Sequence, residues 1–402
     1  MSASPDVLAR RMKILFYDDA PDFGGHELQT MAAVRHIASQ PMMEVGFIYF
    51  SGNQRLAKLM AEVTVQRPNF KAMPQDHASL KFQVFRTLFS RRKVKQIAAA
   101  MAAYAPDVVV IAQGAIAFCS VGLLAAKKAK LPTISYIPMT HPERLFSASR
   151  FRAALREPVN HFFYQQPDEY ITIGPRMVDY LRQRGLRQAA TVVQPAVELS
   201  DLYSIDKLEA RASLGLAAGD IVFALIGRVQ FWQKRQDLAV EALALARQKI
   251  PNLKLLVVGD GPDLNALKAL TRARGLEDAV VFAGWTEGLS AVYCAIDALV
   301  IPSRYEGLPL VLLQGMYFRL PVIASAVDGM ADLLPPQWLF PTGDASAFAA
   351  RLVEATSAKD QELLAANHDL VVGEFSLTVF ERSFMQAVMA AATRLQPRRA
   401  AL

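Results

Sequence analysis

Residues 221–234 read IVFALIGRVQFWQK, in which six apolar residues end at Gly227 and lead into an amphipathic segment. A short apolar run that stops at a glycine turn and continues as a helical pattern is typical of a strand buried in a parallel sheet. The same order recurs at 13–39, 254–274 and 298–318. This alternation predicts βαβ units, and hence an α/β fold built on doubly wound parallel sheets.

The alternation occurs in two series, which predicts two Rossmann-like domains in a chain of 402 residues, a length too great for one ordinary core. We expect a first domain over 1–198, a second over 199–375, and a closing helix with a basic tail over 376–402, with 197–219 as the linker. Because ligands bind at the carboxyl ends of strands in such sheets, the predicted site is a cleft that the two domains face. The strands are predicted at 13–17, 45–50, 108–112, 133–137 and 169–173, and at 221–226, 254–258, 279–283, 298–301 and 321–324.

The composition is that of a globular protein, with 52% hydrophobic residues, 20% charged residues and a formal net charge of +7. This charge favours anionic partners, but it is spread along the chain without a recognition motif, so nucleic-acid binding is not expected. Cys119 and Cys294 are far apart and form neither a disulfide framework nor a zinc site, which predicts buried thiols in a reducing compartment.

No secretory signal is evident, because the apolar run from Ile14 stops at Asp18, and we expect a cytoplasmic protein. Residues 108–126 are uncharged and long enough to cross a bilayer. Gly114 and Gly122 interrupt them, however, and a strand, a turn and a helix account for the same residues. A membrane-spanning helix is therefore not expected.

Two cations, Arg228 and Lys234, share the loop that follows the predicted strand 221–226. A guanidinium can bind two phosphate oxygens at once, and an ammonium group acts as a movable point charge. The pair suits a diphosphate whose negative charge grows as it departs. A solvated basic loop is the alternative that these residues alone leave open.

The segment 301–310, IPSRYEGLPL, places Glu306 and Gly307 just before a predicted helix. Gly307 permits a close backbone approach, and Pro309 suits the first helical turn. The free N–H groups of a helix start can bind an anion or a hydroxyl group. Glu306 can accept hydrogen bonds from sugar hydroxyls, or it can simply match the helix dipole.

Gly24 and Gly25 lie between the first predicted strand and the first helix, where such a pair lets the backbone pass close to a ligand. The segment lacks the full G-x-G-x-x-G spacing, so a plain glycine turn is the alternative. His141 follows the predicted strand 133–137, and a lone histidine at that place is either structural or catalytic.

These segments together resemble glycosyltransferase family 4, whose members have the GT-B fold of two facing Rossmann-like domains. The closing helix after 375–376 resembles the family's last helix, which crosses back to the first domain. The resemblance is strongest over 221–344 and rests on 301–309, on Arg228 with Lys234, on 257–262 (VVGDGP) and on 340–344 (FPTGD). The looser match in the first domain consists of Gly24, Gly25, Glu27 and the strand that ends near His141.

The resemblance implies a retaining transfer of a sugar from a nucleotide-sugar to a glycan or lipid-linked acceptor, without a metal or another cofactor, as in cell-surface polysaccharide biosynthesis. Arg228 and Lys234 would stabilise the departing diphosphate, and a donor phosphate oxygen would take the acceptor proton. Glu306 would bind hydroxyls of the donor sugar, and His141 would lie beside the reacting carbon. The other residues implied in donor binding are Gly24, Gly25, Gly259, Asp260, Gly307, Leu308, Pro309 and Gln314.

Three features depart from the family pattern, one of which is the Trp-Gln-Lys variant of the loop from Arg228 to Lys234. Gln314 stands where the family usually has a second glutamate that contacts the ribose, so a hydrogen-bonding group is kept but a charged acceptor is lost. Arg235 stands where a glycine is common.

The segment from His77 to Pro106 contains no acidic residue. It predicts either an interfacial helix that brings the enzyme to an anionic membrane with a lipid-linked acceptor, or a helix that packs its phenylalanines on the first domain. Its aromatic and basic members are Phe82, Phe85, Phe89, Lys81, Arg86, Arg91, Arg92, Lys93 and Lys95. A second basic cluster, which either lines the acceptor side of the site or is solvated, consists of Arg144, Arg150, Arg152 and Arg156.

Two other functions compete with glycosyl transfer. A nucleotide-sugar epimerase would share the architecture, but it needs carboxylates that abstract a proton from the sugar, and the sequence singles out no such set. A nucleotide-sugar-binding subunit without catalysis is the second alternative, and Gln314 is the residue that motivates it.

Overall fold

The computed structural model describes residues 10–80, 83–146, 149–286, 288–357 and 360–400. Within them the chain forms two compact units. The first consists of the chain up to Pro195 together with the C-terminal helix from Thr378, and the second consists of Ala196–Leu377.

The described part of the first unit contains a seven-stranded sheet in which every recorded strand pair is parallel. The strands are β1 (Met12–Asp18), β2 (Met43–Phe50), β3 (Phe70–Gln75), β4 (Val108–Ala112), β5 (Thr133–Tyr136), β6 (Glu169–Thr172) and β7 (Ala189–Val192), in the order β3-β2-β1-β4-β5-β6-β7. The helices between them are α1 (Gly25–Ala38), α2 (Gln54–Gln66), α3 (Gln83–Phe89), α4 (Arg91–Tyr104), α5 (Ser120–Lys128), α6 (Glu143–Phe146), α7 (Arg150–Tyr164) and α8 (Pro175–Gln183).

The second unit repeats this topology with a six-stranded parallel sheet in its described residues. Its strands are β8 (Ile221–Ile226), β9 (Leu253–Val258), β10 (Val280–Gly284), β11 (Ala298–Ile301), β12 (Val322–Ser325) and β13 (Leu339–Phe340), in the order β10-β9-β8-β11-β12-β13. Its helices are α9 (Lys207–Ser213), α10 (Phe231–Lys234), α11 (Gln236–Ala246), α12 (Leu264–Ala273), α13 (Ser290–Ala295), α14 (Leu310–Tyr317), α15 (Asp328–Leu333), α16 (Ala345–Glu354) and α17 (Gln361–Glu374), with a short 3₁₀ helix at Pro336–Trp338. The last helix of the chain, α18 (Leu377–Ala400), belongs mainly to the first unit.

Strands that are buried on both faces match the predictions closely. β4, β8 and β11 have the predicted bounds, and the side chains of β4 are all buried. The edge strand β10 was predicted, but the other three edge strands were not: β3 contains Pro74, which an edge strand tolerates because its missing N–H costs no sheet hydrogen bond, and β7 and β13 are short. The prediction of two doubly wound parallel sheets is confirmed.

Three predictions about irregular or apolar segments need correction. Residues 197–219 are not a bare linker, because they include α9, whose buried Arg211 donates to Asp297 at 2.8 Å. The predicted basic tail at the end of 376–402 is helical as far as Ala400, because α18 continues to that residue. Cys119 is buried as predicted, but Cys294 is only partly buried.

Residues 108–126 fold as the strand β4, a loop and the start of α5. Among the described residues, none of the helices combines the length and apolar character needed to cross a bilayer.

Helix α18 is anchored on the first sheet by one aromatic side chain and one ion pair. Phe384 is fully buried, and its ring centroid lies 5.0 Å from that of Tyr136 and 6.5 Å from that of Phe16. Arg394 donates to both carboxylate oxygens of Glu169, at 2.9 and 2.6 Å. The C-terminal residues therefore complete the core that the N-terminal strands begin.

We expect Phe384→Ala to lower the free energy of unfolding of the first unit by about 3–5 kcal/mol, because it removes a buried ring and leaves a cavity. Met389→Ala, on the same helix but 37% exposed, is the matched control and should have a much smaller effect. Hydrogen exchange of the peptide that contains β1, measured across a urea titration, reports the unfolding of this unit separately. Equal midpoints for the two variants would show that α18 does not stabilise the sheet.

Candidate functional site

The strand order of the second unit creates a gap at the carboxyl ends of β8 and β11. The chain leaves β8 towards β9 on one side, and it leaves β11 towards β12 on the other. Ligands of open α/β sheets bind at such a switch point. The loops that follow these two strands carry Arg228 with Lys234, and Glu306 with Gly307.

The loop after β9 lies directly against the loop after β8. The N–H of Val229 donates to the backbone carbonyl oxygen of Asp260 at 2.9 Å. A Cβ atom on Gly259 would lie 2.1 Å from the oxygen of Gly227, and one on Gly261 would lie 2.2 Å from the oxygen of Val229. Both contacts are with backbone and cannot be relieved by a side-chain rotation, so the two backbones fit only because these residues are glycines.

Hydrogen bonds at both ends hold the loop that carries the two cations. The N–H of Phe231 donates to Asp263 Oδ2 at 2.7 Å, and Gln236 Nε2 donates to the oxygen of Arg228 at 2.9 Å. The side chain of Arg228 is exposed. Arg235 has a φ of 53°, in the left-handed region that favours glycine. This explains why glycine is common at this position in the family that the sequence resembles.

Lys234 and Glu306 are brought together across the switch point. Lys234 Nζ donates to Glu306 Oε1 at 2.6 Å, and Ser303 Oγ donates to the same oxygen at 2.7 Å. Glu306 is 6% exposed, and its N–H donates to Asp328 Oδ2 at 2.8 Å. The site therefore contains a nearly buried carboxylate with a half-buried ammonium group as its partner.

Sequence reasoning missed two residues that join these loops. The guanidinium of Arg304 lies 4.1 Å from the ring centroid of Trp232, and the N–H of Arg304 donates to the oxygen of Gln233 at 2.7 Å. A stacked guanidinium and a backbone bond hold the two loops in register. An arginine and a tryptophan near the proposed cations were the only signal available in the sequence.

The remaining predicted residues of this unit surround the start of α14. Pro309 lies just before the helix as its N-cap, not in its first turn as predicted. Gly307 and Leu308 pack against Gly329, whose N–H donates to the oxygen of Gly307 at 3.1 Å. Gln314 Oε1 accepts a hydrogen bond from the hydroxyl of Tyr293 at 2.8 Å, so the amide has a fixed neighbour in the protein.

In the first unit, Gly24 precedes α1 and Gly25 begins it. The N–H of Gly24 donates to Glu27 Oε2 at 2.7 Å, which closes the turn. His141 lies after β5 and is 1% exposed, with its ring against those of Tyr180 and Phe146. A catalytic role for His141 stays a prediction, as do the donor contacts of Gly24 and Gly25.

Two family models match most of the described chain. "Glycosyl transferase 4-like domain" matches residues 50–196, and "Glycosyl transferases group 1" matches residues 220–357.

Curated relatives and solved structures agree with these matches. The chain is 38% identical over 151 residues to D-inositol 3-phosphate glycosyltransferase of Actinosynnema mirum, which is 35% of this chain and 36% of that protein. It is 29% identical over 264 residues to 2-deoxystreptamine N-acetyl-D-glucosaminyltransferase of Streptomyces fradiae, covering 62% and 60% of the two chains. The matches thus span less than two thirds of either relative. The crystal structure of Anabaena Alr3699/HepE in complex with UDP-glucose superimposes with a TM-score of 0.76 at 17% identity, covering 94% of this chain and 100% of that chain, which shows a shared GT-B fold.

We expect Gly261→Ala to lower the free energy of unfolding of the second unit by roughly 1–3 kcal/mol, because its Cβ would overlap the oxygen of Val229. Gly219→Ala is the matched control, since a Cβ at that position meets no atom within 4 Å. Thermal unfolding and hydrogen exchange of the peptide that contains β8 measure the difference. Equal stability of the two variants would mean that the loops do not need this close approach.

Proposed function

The chain belongs to the family 4 glycosyltransferases, and on that premise we propose that it moves a sugar, with retention of configuration and without a bound metal ion, from a nucleotide-sugar to a glycan or lipid-linked acceptor. The proposed setting is cell-surface polysaccharide biosynthesis. The bond between Lys234 and Glu306 is the observation that carries the proposal.

The pair explains how one site can bind both the sugar and the diphosphate of the donor. A carboxylate has about four lone-pair sites, so Glu306 can accept hydrogen bonds from sugar hydroxyls while it keeps Ser303 and Lys234. The ammonium group has three donors and can contact a phosphate oxygen as well. Glu306 thereby holds the positive charge of Lys234 at the place where the leaving group departs.

The exposed guanidinium of Arg228 supplies a second positive charge on the same loop. Two cations on one loop can stabilise the charge that develops on a departing diphosphate, which is the role that a metal ion has in other phosphate chemistry. Gln314 would contact the ribose through its N–H groups, since the hydroxyl of Tyr293 already uses one of the two lone pairs of its carbonyl oxygen. We therefore propose a hydrogen-bond donor, in place of the usual carboxylate acceptor, at this position.

We expect the protein to hydrolyse one donor slowly in a panel of UDP-, GDP- and ADP-sugars, with nucleoside diphosphate release unchanged by EDTA. Lys234→Ala should lower this rate by roughly 10²–10³-fold, the usual cost of removing one stabilising donor of an oxyanion. Lys249→Ala, an exposed lysine of the same unit, is the control and should leave the rate unchanged.

Loss of activity with EDTA would contradict the metal-free reaction. A donor that binds without turnover in every condition would instead favour the non-catalytic subunit, and exchange of the C–H hydrogen of the sugar with solvent would favour an epimerase.

We also propose that the first unit contacts an anionic membrane that carries the acceptor. The proposed surface consists of α3, α4 and α7, and we call it the α3–α7 surface. These helices are adjacent, since α3 contacts both of the others. Phe89 is 86% exposed and Phe151 is 73% exposed. Exposed aromatic rings beside cations are typical of a surface that enters the headgroup region of anionic lipid. The exposed cations of the α3–α7 surface are Arg86, Arg91, Arg92, Lys95, Arg150 and Arg152.

For the segment from His77 to Pro106 the sequence left open either membrane contact or packing on the first domain. Some of its residues pack on the first unit, whereas others are exposed. Phe85 packs partly buried against the core of the first unit, as an ordinary helix residue does. Phe89 does not, and Arg156 lies 3.7 Å from Glu143 and so is engaged within the unit. Lys81 and Phe82 lie outside the described residues.

We expect the protein to float with vesicles that contain phosphatidylglycerol at low salt, and not with phosphatidylcholine vesicles. Reversal of two charges, Arg91→Glu with Arg92→Glu, should weaken binding at least about tenfold, since each cation near an anionic surface contributes ~1 kcal/mol. Lys58→Glu with Lys249→Glu, two exposed lysines outside the α3–α7 surface, makes the same change of net charge and should bind nearly as well as the unchanged protein. Absence of binding to anionic vesicles at low salt would remove the membrane proposal.

A further inference from the structure

Three charged side chains, those of Asp18, His26 and Glu27, lie next to one another beside the Gly24–Gly25 turn of the first unit. His26 Nδ1 lies 3.1 Å from Glu27 Oε2, and His26 Nε2 lies 3.7 Å from Asp18 Oδ2. Glu27 Oε2 also accepts the N–H of Gly24 at 2.7 Å. One imidazole thus connects the end of β1 with the atom that closes the turn.

Two atoms of these three side chains are buried without a hydrogen-bond partner among the described residues. They are Asp18 Oδ2 and His26 Nε2, which face each other. The other oxygen of Asp18 accepts the N–H of Ala20 at 2.8 Å. Asp18 is fully buried, and a buried carboxylate oxygen without a donor is unfavourable unless a proton or a cation lies beside it.

A proton fits this place better than a metal ion. One atom from each of the three side chains lies within 4.8 Å of the other two, a spacing that a metal ion could also use. The shortest contacts, however, join each carboxylate to a different nitrogen of the imidazole, and an ion on one nitrogen would serve only one of these contacts. An imidazolium ring has an N–H at each nitrogen, and each N–H would meet one carboxylate.

The surroundings favour this charge state. Burial opposes a charge on His26, but the hydrogen bond from its ring to Glu27 and the charges of Glu27 and Asp18 outweigh burial and raise its pKa. Burial, with further repulsion from Glu27 and Asp19, raises the pKa of Asp18 to about 7, although the charge of His26 opposes this rise. His26 and Asp18 thus compete for a proton near neutral pH, and the hydrogen bond from the ring to Glu27 favours His26 as its holder.

No other ionised group faces the ring in the described part of the structure. The backbone of Gly114 approaches it from the loop after β4, where a Cβ would lie 3.1 Å from His26 Nδ1. Behind Asp18 lie Asp19 and Cys119, whose thiol pKa is raised by burial and by both aspartates, so it stays neutral. His77 Nε2 lies 3.7 Å from Asp19 Oδ2, on the far side of that aspartate.

We propose that Asp18, His26 and Glu27 position the Gly24–Gly25 turn as one unit, with protonated His26 as the link between the two carboxylates. The consequence for activity rests on the proposed function, in which this turn contacts the donor. A neutral ring keeps one N–H and cannot serve both carboxylates. With that N–H on the side of the buried Asp18 oxygen, Glu27 loses its donor and its hydrogen bond to Gly24 loosens. These three are positioning residues, since the contact with the donor would be made by the glycines.

The dependence on pH has a definite sign. A histidine whose pKa is higher in the folded protein contributes its stabilisation fully below the unfolded value, and this is lost as the pH rises through the folded value. The contact of His26 with Glu27, and with it the turn, should therefore be held at low and neutral pH and released at alkaline pH, whereas Asp18 takes part as a carboxylate only above about pH 7. The donor KM should rise with pH while kcat changes little.

The first experiment measures the turn itself. Hydrogen exchange of the Gly24 amide should be measured as protection relative to the intrinsic rate, which itself rises with pH. This protection should fall over the same pH range in which NMR titration shows that His26 loses its proton. Glu27→Gln should accelerate exchange of Gly24 at every pH, because the neutral amide is a weaker acceptor. Unchanged Gly24 protection in Glu27→Gln, or saturable binding of Zn²⁺ that displaces the His26 proton, would overturn the proposal. These readouts need no donor and hold even if the protein turns none over.

The second experiment measures the donor KM from about pH 6 to about pH 9, where a change of one unit in a coupled pKa corresponds to roughly tenfold in affinity. KM of the unchanged protein should rise by about that factor, and His26→Gln should have a high KM that no longer varies with pH. His36→Gln is the matched control, because His36 lies on the same helix and pairs with Glu381. A pH profile of His26→Gln like that of the unchanged protein would overturn the proposal. If exchange of Gly24 follows His26 while KM does not, the positioning unit stands and the proposed contact of the turn with the donor fails.

Discussion

A 2.6 Å hydrogen bond between Lys234 Nζ and Glu306 Oε1 joins the loops that follow β8 and β11. It can form because β8 and β11 are neighbours in the sheet although the chain between them first builds β9 and β10. The carboxyl ends of the two strands therefore lie side by side while their loops diverge. Ser303, Asp328 and Arg304 then hold the two loops so that the charges stay in register.

The first unit places charges at the corresponding point of its own sheet. Asp18 ends β1, and His26 lies between it and the loop that follows β4, beside Gly114. Both units thus have an acidic and a basic group at the switch point, where helix N-termini and free backbone groups make a polar pair tolerable. The pairs differ in burial: Asp18 is fully buried, whereas Lys234 is partly exposed and can meet a phosphate group.

Glycines and left-handed residues give these sites their shape. Gly259 and Gly261 let one loop lie on another at a distance that no side chain permits. Arg235 and Asp328 have positive φ without being glycine, at 53° and 47°, directly after the Lys234 helix and beside the Glu306 loop. Such backbone conformations are unfavourable for residues with a Cβ, and they persist because the surrounding hydrogen bonds fix both loops.

The amino-acid sequence by itself determined the α/β class, the central strands and the residue types of the site. A parallel strand covered on both faces must be apolar along its length, so β4, β8 and β11 could be recognised without a structure, whereas the edge strands β3, β7 and β13 lack that constraint. Only the tertiary structure decided which charges meet. Lys234 and Glu306 are 72 residues apart. The contacts of Asp328 with Glu306, of Arg304 with Gln233 and of Tyr293 with Gln314 were not predicted either. Their contacts depend on strand order and loop path, which a pattern read along one segment does not contain.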